Sequence, residues 1–467
     1  MGASVSTTSE VQQDEESFTH LVVLVHGLKG SEEDLAYLAR TLERQAHRDA
    51  NLVLYRSSCN SMMTHDGIQK GGERLTAEVE QEIKKIEGPV RLSFVANSMG
   101  GLYSRYAIAH MDMADNVTPL VFCTTSTPHL GCCNHTYIPL PRWAETTIGK
   151  MMAETGNDLF CITSIVHEMG TSDFYLDPLR KFQRRVAIAN AFATDSLVPV
   201  ATAAFLSRTS DYTHTTVAKS ERYALAVQTE PDQEHDQDDM SQRLDSLGWT
   251  KLFLDVRDTI PLPSIPIPFR TAAIVPDKSV WTSKELFPVL NQIGSRWQIP
   301  LGHTVGIANS RNSAYTWFTA GGQPFMDQLA EDLLVFMDVP LTEGEKETDP
   351  ADQEEATDGV SPDKVAADKA GVSPDKITTD EAGVSLDKMT AGEAGVSTDK
   401  ITTGEAGVSP DKMMTDEAGV SPDKMKTYEA GVSRDKMTTD ETGVSPDKGA
   451  TDETPEAIVV DAEAIKV

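Results

Sequence analysis

The sequence predicts an α/β protein built on a doubly wound, mostly parallel sheet, with a long acidic tail that does not fold. Three observations carry this. An unbroken apolar run, Leu21-Val22-Val23-Leu24-Val25, suits a strand buried on both faces, and it gives way to a glycine turn and an amphipathic helix. Short apolar runs alternate with helical periodicity again at Leu52–Tyr55, Val90–Val95 and Leu120–Thr124, the pattern of parallel strands joined by crossover helices. From Leu341 onward the chain carries 31 acidic and 13 basic residues, a net of −18, whereas the first 340 residues carry −13 of the total of −31. The expected organisation is a flexible N-terminus over residues 1–18, a folded domain over 19–340 and a tail over 341–467.

The first six residues, Met1-Gly2-Ala3-Ser4-Val5-Ser6, fit the myristoylation pattern with Gly2 as acceptor; a plain flexible N-terminus is the alternative. One acyl chain supports only marginal, peripheral membrane contact, and no basic cluster follows to add a second signal. After the first strand comes the turn His26-Gly27-Leu28-Lys29-Gly30-Ser31. Ser31 and Asp34 have the spacing of a capping box, and Leu35, Leu38 and Leu42 mark one helix face. Leu75, Val79 and Ile83 mark the next helix, stopped by Gly88-Pro89.

The stretch Leu92-Ser93-Phe94-Val95-Ala96-Asn97-Ser98-Met99-Gly100-Gly101 then has the layout of a nucleophile elbow: strand, sharp turn, helix, with a serine at the tip. Such a turn is strained and needs small neighbours. Ala96 stands where G-x-S-x-G has its first glycine, and Gly100 is the second. Ser98 is the candidate nucleophile, over a helix N-terminus that favours developing negative charge. The backbone N–H groups of Leu28 and Met99 are the candidate oxyanion donors. Small residues also make ordinary tight turns, so the elbow takes its meaning from the rest of the chain.

Residues 132–182 break the alternation. They read either as a cap-like insertion over an apolar acyl pocket or as a pair of core-packing helices. Val186–Ala189 resumes the sheet. Asp195 lies just beyond it, with Pro199 fixing the loop, and is the candidate acid that orients a histidine. Residues 228–245 read as an exposed acidic loop. Ile260–Phe269 alternates prolines with apolar residues and is excluded from a central strand. His303, in Pro300-Leu301-Gly302-His303-Thr304-Val305-Gly306, precedes a last helix with Phe325, Leu329, Leu333 and Phe336 on one face, and is the candidate base. Ser98, Asp195 and His303 run in the Ser…Asp…His order of the α/β-hydrolase fold. His129 precedes the acid and breaks that order; His214 keeps it but lacks the glycine-flanked loop.

In the tail, Gly-Val-Ser recurs every 12 residues, from Gly359 to Gly443. Each copy has about two apolar side chains, too few to offset ordering at roughly 1–2 kcal/mol per residue, so a disordered acidic tail is expected. The net charge of −31 argues against a nucleic-acid partner. No apolar run reaches the length of a membrane span, and the N-terminus lacks a signal-peptide core, which predicts a cytoplasmic protein. Cys59, Cys123, Cys132, Cys133 and Cys161 have no metal-ligand spacing and read as free thiols, with no metal and no cofactor expected.

Several separated motifs share one order with a known family: Leu21–Leu28 with Gly30-Ser31 and Asp34; Phe94–Leu102 with Arg105-Tyr106; Thr127-Pro128-His129-Leu130-Gly131; Thr155-Gly156 before Leu159-Phe160; and Asn190, Asp195, Val198-Pro199 and Thr202. Over roughly residues 19–338 the chain resembles the eukaryotic lipase-like putative serine esterases, a branch of the α/β-hydrolases. Ala96-Asn97 replaces that family's usual Gly-His before the serine. The resemblance implies Ser98 as nucleophile, Asp195 as acid, His303 as base, and a glycerolipid or other acyl ester as substrate. The expected function is a serine esterase or lipase acting through an acyl-enzyme. A hydrolase fold that has lost activity and binds a lipid or partner is the second reading. A third reading makes the acidic tail a tether to a basic partner.

Overall fold

The computed structural model describes residues 18–342 apart from Lys219 and Asp232. Gly2 and the 12-residue repeats lie outside the described residues. In chain order the elements are β1 (Thr19–Val25), α1 (Ala36–Gln45), β2 (Leu52–Arg56), α2 (Gly67–Ile83), β3 (Val90–Asn97), α3 (Met99–His110) and β4 (Val117–Thr125). Four helices follow, α4 (Arg142–Met151), α5 (Ala153–Leu159), α6 (Ile165–Thr171) and α7 (Asp173–Arg180), then β5 (Arg184–Asn190) and α8 (Val200–Ala203). The remainder comprises β6 (Thr213–Thr216), β7 (Tyr223–Thr229), α9 (Met240–Asp245), β8 (Thr250–Leu254), β9 (Ile265–Pro266), β10 (Val280–Thr282), α10 (Ser283–Leu290), β11 (Arg296–Trp297), α11 (Gly302–Val305), α12 (Ser313–Thr319) and α13 (Gln323–Phe336).

Nine strands form one sheet in the order β10-β6-β7-β8-β5-β4-β3-β1-β2. From β8 to β2 every pairing is parallel, and β7, β6 and β10 add antiparallel strands at the far edge. The apolar run of β1 explains why it sits inside the sheet. Leu21, Val23 and Val25 point into a core shared with α2 and α3, while Val22 and Leu24 point into a second core shared with α1 and α13. Helices therefore cover both faces, as a doubly wound, mostly parallel α/β sheet requires.

Three local expectations are corrected. Ser31 and Asp34 form no capping box: the residue before α1 is Leu35, with no side-chain cap, and Asp34 is taken by Arg311 at 2.7 and 2.9 Å. Residues 228–245 are not one exposed loop. Gln228 and Thr229 close β7, and α9 buries Ser241, Arg243, Leu244 and Asp245. The segment 132–182 is four helices rather than a pair. Its second half is core, through Val166, Met169, Leu176, Leu179 and Phe182, while Ile138, Trp143 and Met151 in its first half are exposed.

Candidate active site

Ser98 is the single residue between β3 and α3, and it holds φ 55° and ψ −126°. A non-glycine residue there is strained by roughly 1–3 kcal/mol and persists only where its surroundings fix it. They do so here from two sides. The Ser98 N–H donates to the carbonyl of Thr125 at the end of β4, at 2.9 Å. Gly100 lets α3 close onto β1, since a Cβ there would meet the Val25 and His26 carbonyl oxygens at 2.4 and 2.7 Å. Ala96 is fully buried, so the methyl in place of the usual glycine is absorbed by the core.

The loop after β1 passes directly over the serine. A Cβ on Gly27 would lie 2.6 Å from the Ser98 Cβ and 3.2 Å from its Oγ. Only glycine admits that approach, and it brings the Gly27 backbone against Ser98. The loop is pinned by Gly30 N–H to Gly27 O at 3.0 Å and Lys29 N–H to Thr64 Oγ1 at 2.9 Å, with Lys29 at φ 54°. The Asp34 carboxylate lies beneath it, 2.6 Å from where a Gly30 Cβ would be. Met99 opens α3, and a helix leaves the N–H groups of its first turn without intrahelical acceptors.

Asp195 and His303, 108 residues apart, are in contact: His303 Nδ1 lies 3.0 Å from Asp195 Oδ2. The carboxylate is fully buried and well bonded. Oδ1 accepts the N–H groups of Leu197 and Val198, each at 2.9 Å, and Oδ2 also accepts Asn190 Nδ2 at 3.1 Å. Burial alone would raise its pKa. The charge and hydrogen bond of His303, with the bonds from Val198 and Asn190, outweigh burial and hold the carboxyl below the usual aspartate value. The histidine loop is laid against the acid loop by Gly302 N–H to Thr194 O at 2.7 Å and by a bridge between Asp195 and Leu301. Gly302 is required there, since a Cβ would meet the Thr194 carbonyl oxygen at 2.8 Å.

The other two histidines weighed from the sequence are committed elsewhere. His129 Nε2 meets Thr124 Oγ1 at 3.0 Å and its Nδ1 meets Arg105 at 3.4 Å. His214 Nδ1 meets Thr229 Oγ1 at 3.0 Å. Burial holds both well below the ordinary histidine pKa, reinforced by the Arg105 and Lys251 charges for His129 and by Lys251 for His214. Asn190 is a site residue that pattern reading left without a role; it bonds both Asp195 and Ser126 Oγ at 3.1 Å. Its signal was its place as the last residue of the strand before the acid. Arg311 gave no such signal. Among the described residues no group of three or more His, Cys, Asp or Glu side chains could hold a metal ion, and the five cysteines are free.

Two straps border the histidine loop. Trp297 Nε1 donates to Tyr137 Oη at 3.2 Å, joining the segment after β4 to the small β9–β11 sheet. Exposed apolar side chains stand on these straps and beside the acid: Ile138, Leu197, Ile265 and Ile299.

The family that matches residues 15–210 is described as "Putative serine esterase (DUF676)". Among curated proteins, "Putative lipase ROG1" of Saccharomyces cerevisiae is 32% identical over 206 residues, covering 40% of this chain and 28% of its own length. "Putative lipase C4A8.10" of Schizosaccharomyces pombe is 28% identical over 217 residues, covering 40% of this chain and 26% of its own. The chain thus spans little more than a quarter of the length of these relatives. A solved lipase of Bacillus licheniformis, BlEst2 in mature form, aligns at 18% identity over 42% of this chain and 74% of that one, with a TM-score of 0.27.

Proposed function

We propose that the chain is a serine esterase that cleaves carboxylic esters with an apolar acyl group. The observation that carries this is the contact between His303 Nδ1 and a buried, fully bonded Asp195, on the loops beyond the sheet strands, with a strained Ser98 at the tip of β3. In this reading Ser98 Oγ attacks the ester carbonyl and His303 Nε2 takes its proton. Asp195 holds the imidazole in the tautomer with hydrogen on Nδ1 and stabilises its cation. The N–H groups of Met99 and Leu28 bind the tetrahedral oxyanion, each donor worth about 10²–10³ in rate. His303 then protonates the leaving alcohol, and water releases the acid from the acyl-enzyme. The exposed Ile138, Leu197, Ile265 and Ile299 support an apolar ester over a small polar one.

A fluorophosphonate probe tests the reading without assuming a substrate. The wild-type protein should be labelled, and Ser98→Ala and His303→Ala should not, with both variants folded by circular dichroism. An unlabelled wild-type protein would leave a fold that binds without turnover. Labelling that survives Ser98→Ala would place the nucleophile elsewhere.

A further inference from the structure

One cavity of this chain lies away from the candidate site. It is a groove of about 760 Å³ between α1 and the edge strand β2, and none of its lining residues belongs to the site. Its floor includes Leu52 and Leu54, and its walls carry Arg40, Arg44, Arg48, Arg56 and His47. Two carboxylates, Glu33 and Glu43, also line it. Glu33 is engaged by Arg56 at 3.0 Å, and Arg44 by Asp327 at 3.0 Å. Arg40 and Arg48 are exposed and have no hydrogen-bond or ion-pair partner among the described residues. With Arg44 and Arg56 paired, Arg40 and Arg48 stand against one further lining carboxylate, Glu43, a small excess of positive charge on a chain whose first 340 residues carry −13.

The described residues end at this groove. Thr342 lines it, and is fixed there by its N–H to the Gln45 carbonyl at 2.8 Å and its hydroxyl to the Ala46 carbonyl at 2.9 Å. The next residues in sequence are Glu343-Gly344-Glu345-Lys346-Glu347-Thr348-Asp349-Pro350-Ala351-Asp352-Gln353-Glu354-Glu355, seven carboxylates against one lysine. We propose that the groove is the docking site for this segment, residues 343–355 of the same chain, with its carboxylates on Arg40 and Arg48.

Charge complementarity and covalent placement favour this occupant over any free anion. The segment is joined directly to Thr342, a residue of the groove, so its effective concentration is on the order of millimolar or higher without any further contact. Thirteen residues reach at most about 45 Å when extended, and α1, at 10 residues, is about 15 Å long, so the segment can span the groove. Docking would also lay chain beside β2, whose outer edge no strand of the sheet pairs. The attraction is among exposed charges, and so depends on ionic strength.

The test is the rate of phenylglyoxal modification of Arg40 and Arg48 in the full-length protein, read by peptide mass spectrometry. The exposed Arg270 serves as an internal control. The comparison is a full-length variant carrying Glu343→Gln, Glu345→Gln, Glu347→Gln and Asp349→Asn, substitutions outside the described residues. Arg40 and Arg48 should react roughly fivefold more slowly in the wild-type protein at low salt, as expected for a few exposed ion pairs. The difference should vanish at 1 M NaCl, where screening falls to about 3 Å, while Arg270 reacts equally in both. Equal rates at Arg40 and Arg48 in the two proteins would overturn the proposal. So would protection that disappears on dilution, because that would assign the groove to the tail of a second copy.

Discussion

Ser98 holds its left-handed backbone because Thr125 anchors its N–H and Gly100 lets the helix seat on β1. Asp195 is fixed in the same way, by bonds rather than by space, and its consequences can be measured. Replacing it by Asn keeps the shape but removes the charge that favours the Nδ1–H tautomer and the imidazolium. Asp195→Asn should stay folded and lose on the order of 10³–10⁴ in kcat/KM on a soluble ester. Turnover within tenfold of wild type would reject Asp195 as the orienting acid. Its depressed pKa also sets a sign for stability. A carboxyl more acidic folded than unfolded adds stability that is complete above the ordinary aspartate value of about 3.9 and is lost as the pH falls through the lower folded value. The stability gap between wild type and Asp195→Asn in urea should therefore be full at neutral pH and narrow below about pH 4.

At the scale of elements, what could be read from the sequence followed from whether partners were near in the chain or signalled by apolar period. The parallel strands β1 to β5 were legible because each carries a short apolar run. The pairing of Asp34 with Arg311 was not, because the two are 277 residues apart and a serine three residues earlier mimics a cap. Helix α9 was hidden by composition: acids crowd the stretch before it, and apart from Leu244 its buried residues are polar. One of them is Asp245, which with Lys251 of β8 forms a fully buried pair at 2.6 Å, the ammonium also donating to the Ala204 carbonyl at 2.9 Å. Burial pushes the Asp245 carboxyl up and the Lys251 ammonium down, and each is opposed by the other's charge. Lys251→Met would strand a buried carboxylate beside a neutral His214 and should cost about 3–5 kcal/mol. The double variant Asp245→Leu/Lys251→Met removes both charges and should recover most of that loss in urea unfolding. Equal losses in single and double variants would mean that the pair is held by shape and not by charge.

At the scale of the whole molecule, exposed apolar side chains and a net negative charge bear on the same encounter. The straps beside the histidine loop are apolar, through Ile138, Leu197, Ile265 and Ile299. The chain around them is acidic, at −31 in all and −13 over the first 340 residues. No helix among the described residues is long and apolar enough to cross a membrane. For the proposed esterase, a bilayer surface attracts through the straps and repels through the net charge if it is anionic. Repulsion between extended charges slows encounter and is screened over about 8 Å at 0.15 M salt, whereas apolar contact is not. A lipophilic nitrophenyl ester carried in phosphatidylcholine vesicles should therefore be hydrolysed several-fold faster than the same ester in vesicles containing phosphatidylserine. The two rates should converge as NaCl is raised from 0.02 to 0.5 M, as about expected from the shrinking screening length. Faster hydrolysis on the anionic vesicles would mean that a local basic surface, and not the net charge, governs the approach. The groove arginines are the first candidates, and neutralising Glu343, Glu345, Glu347 and Asp349 would then raise that rate further.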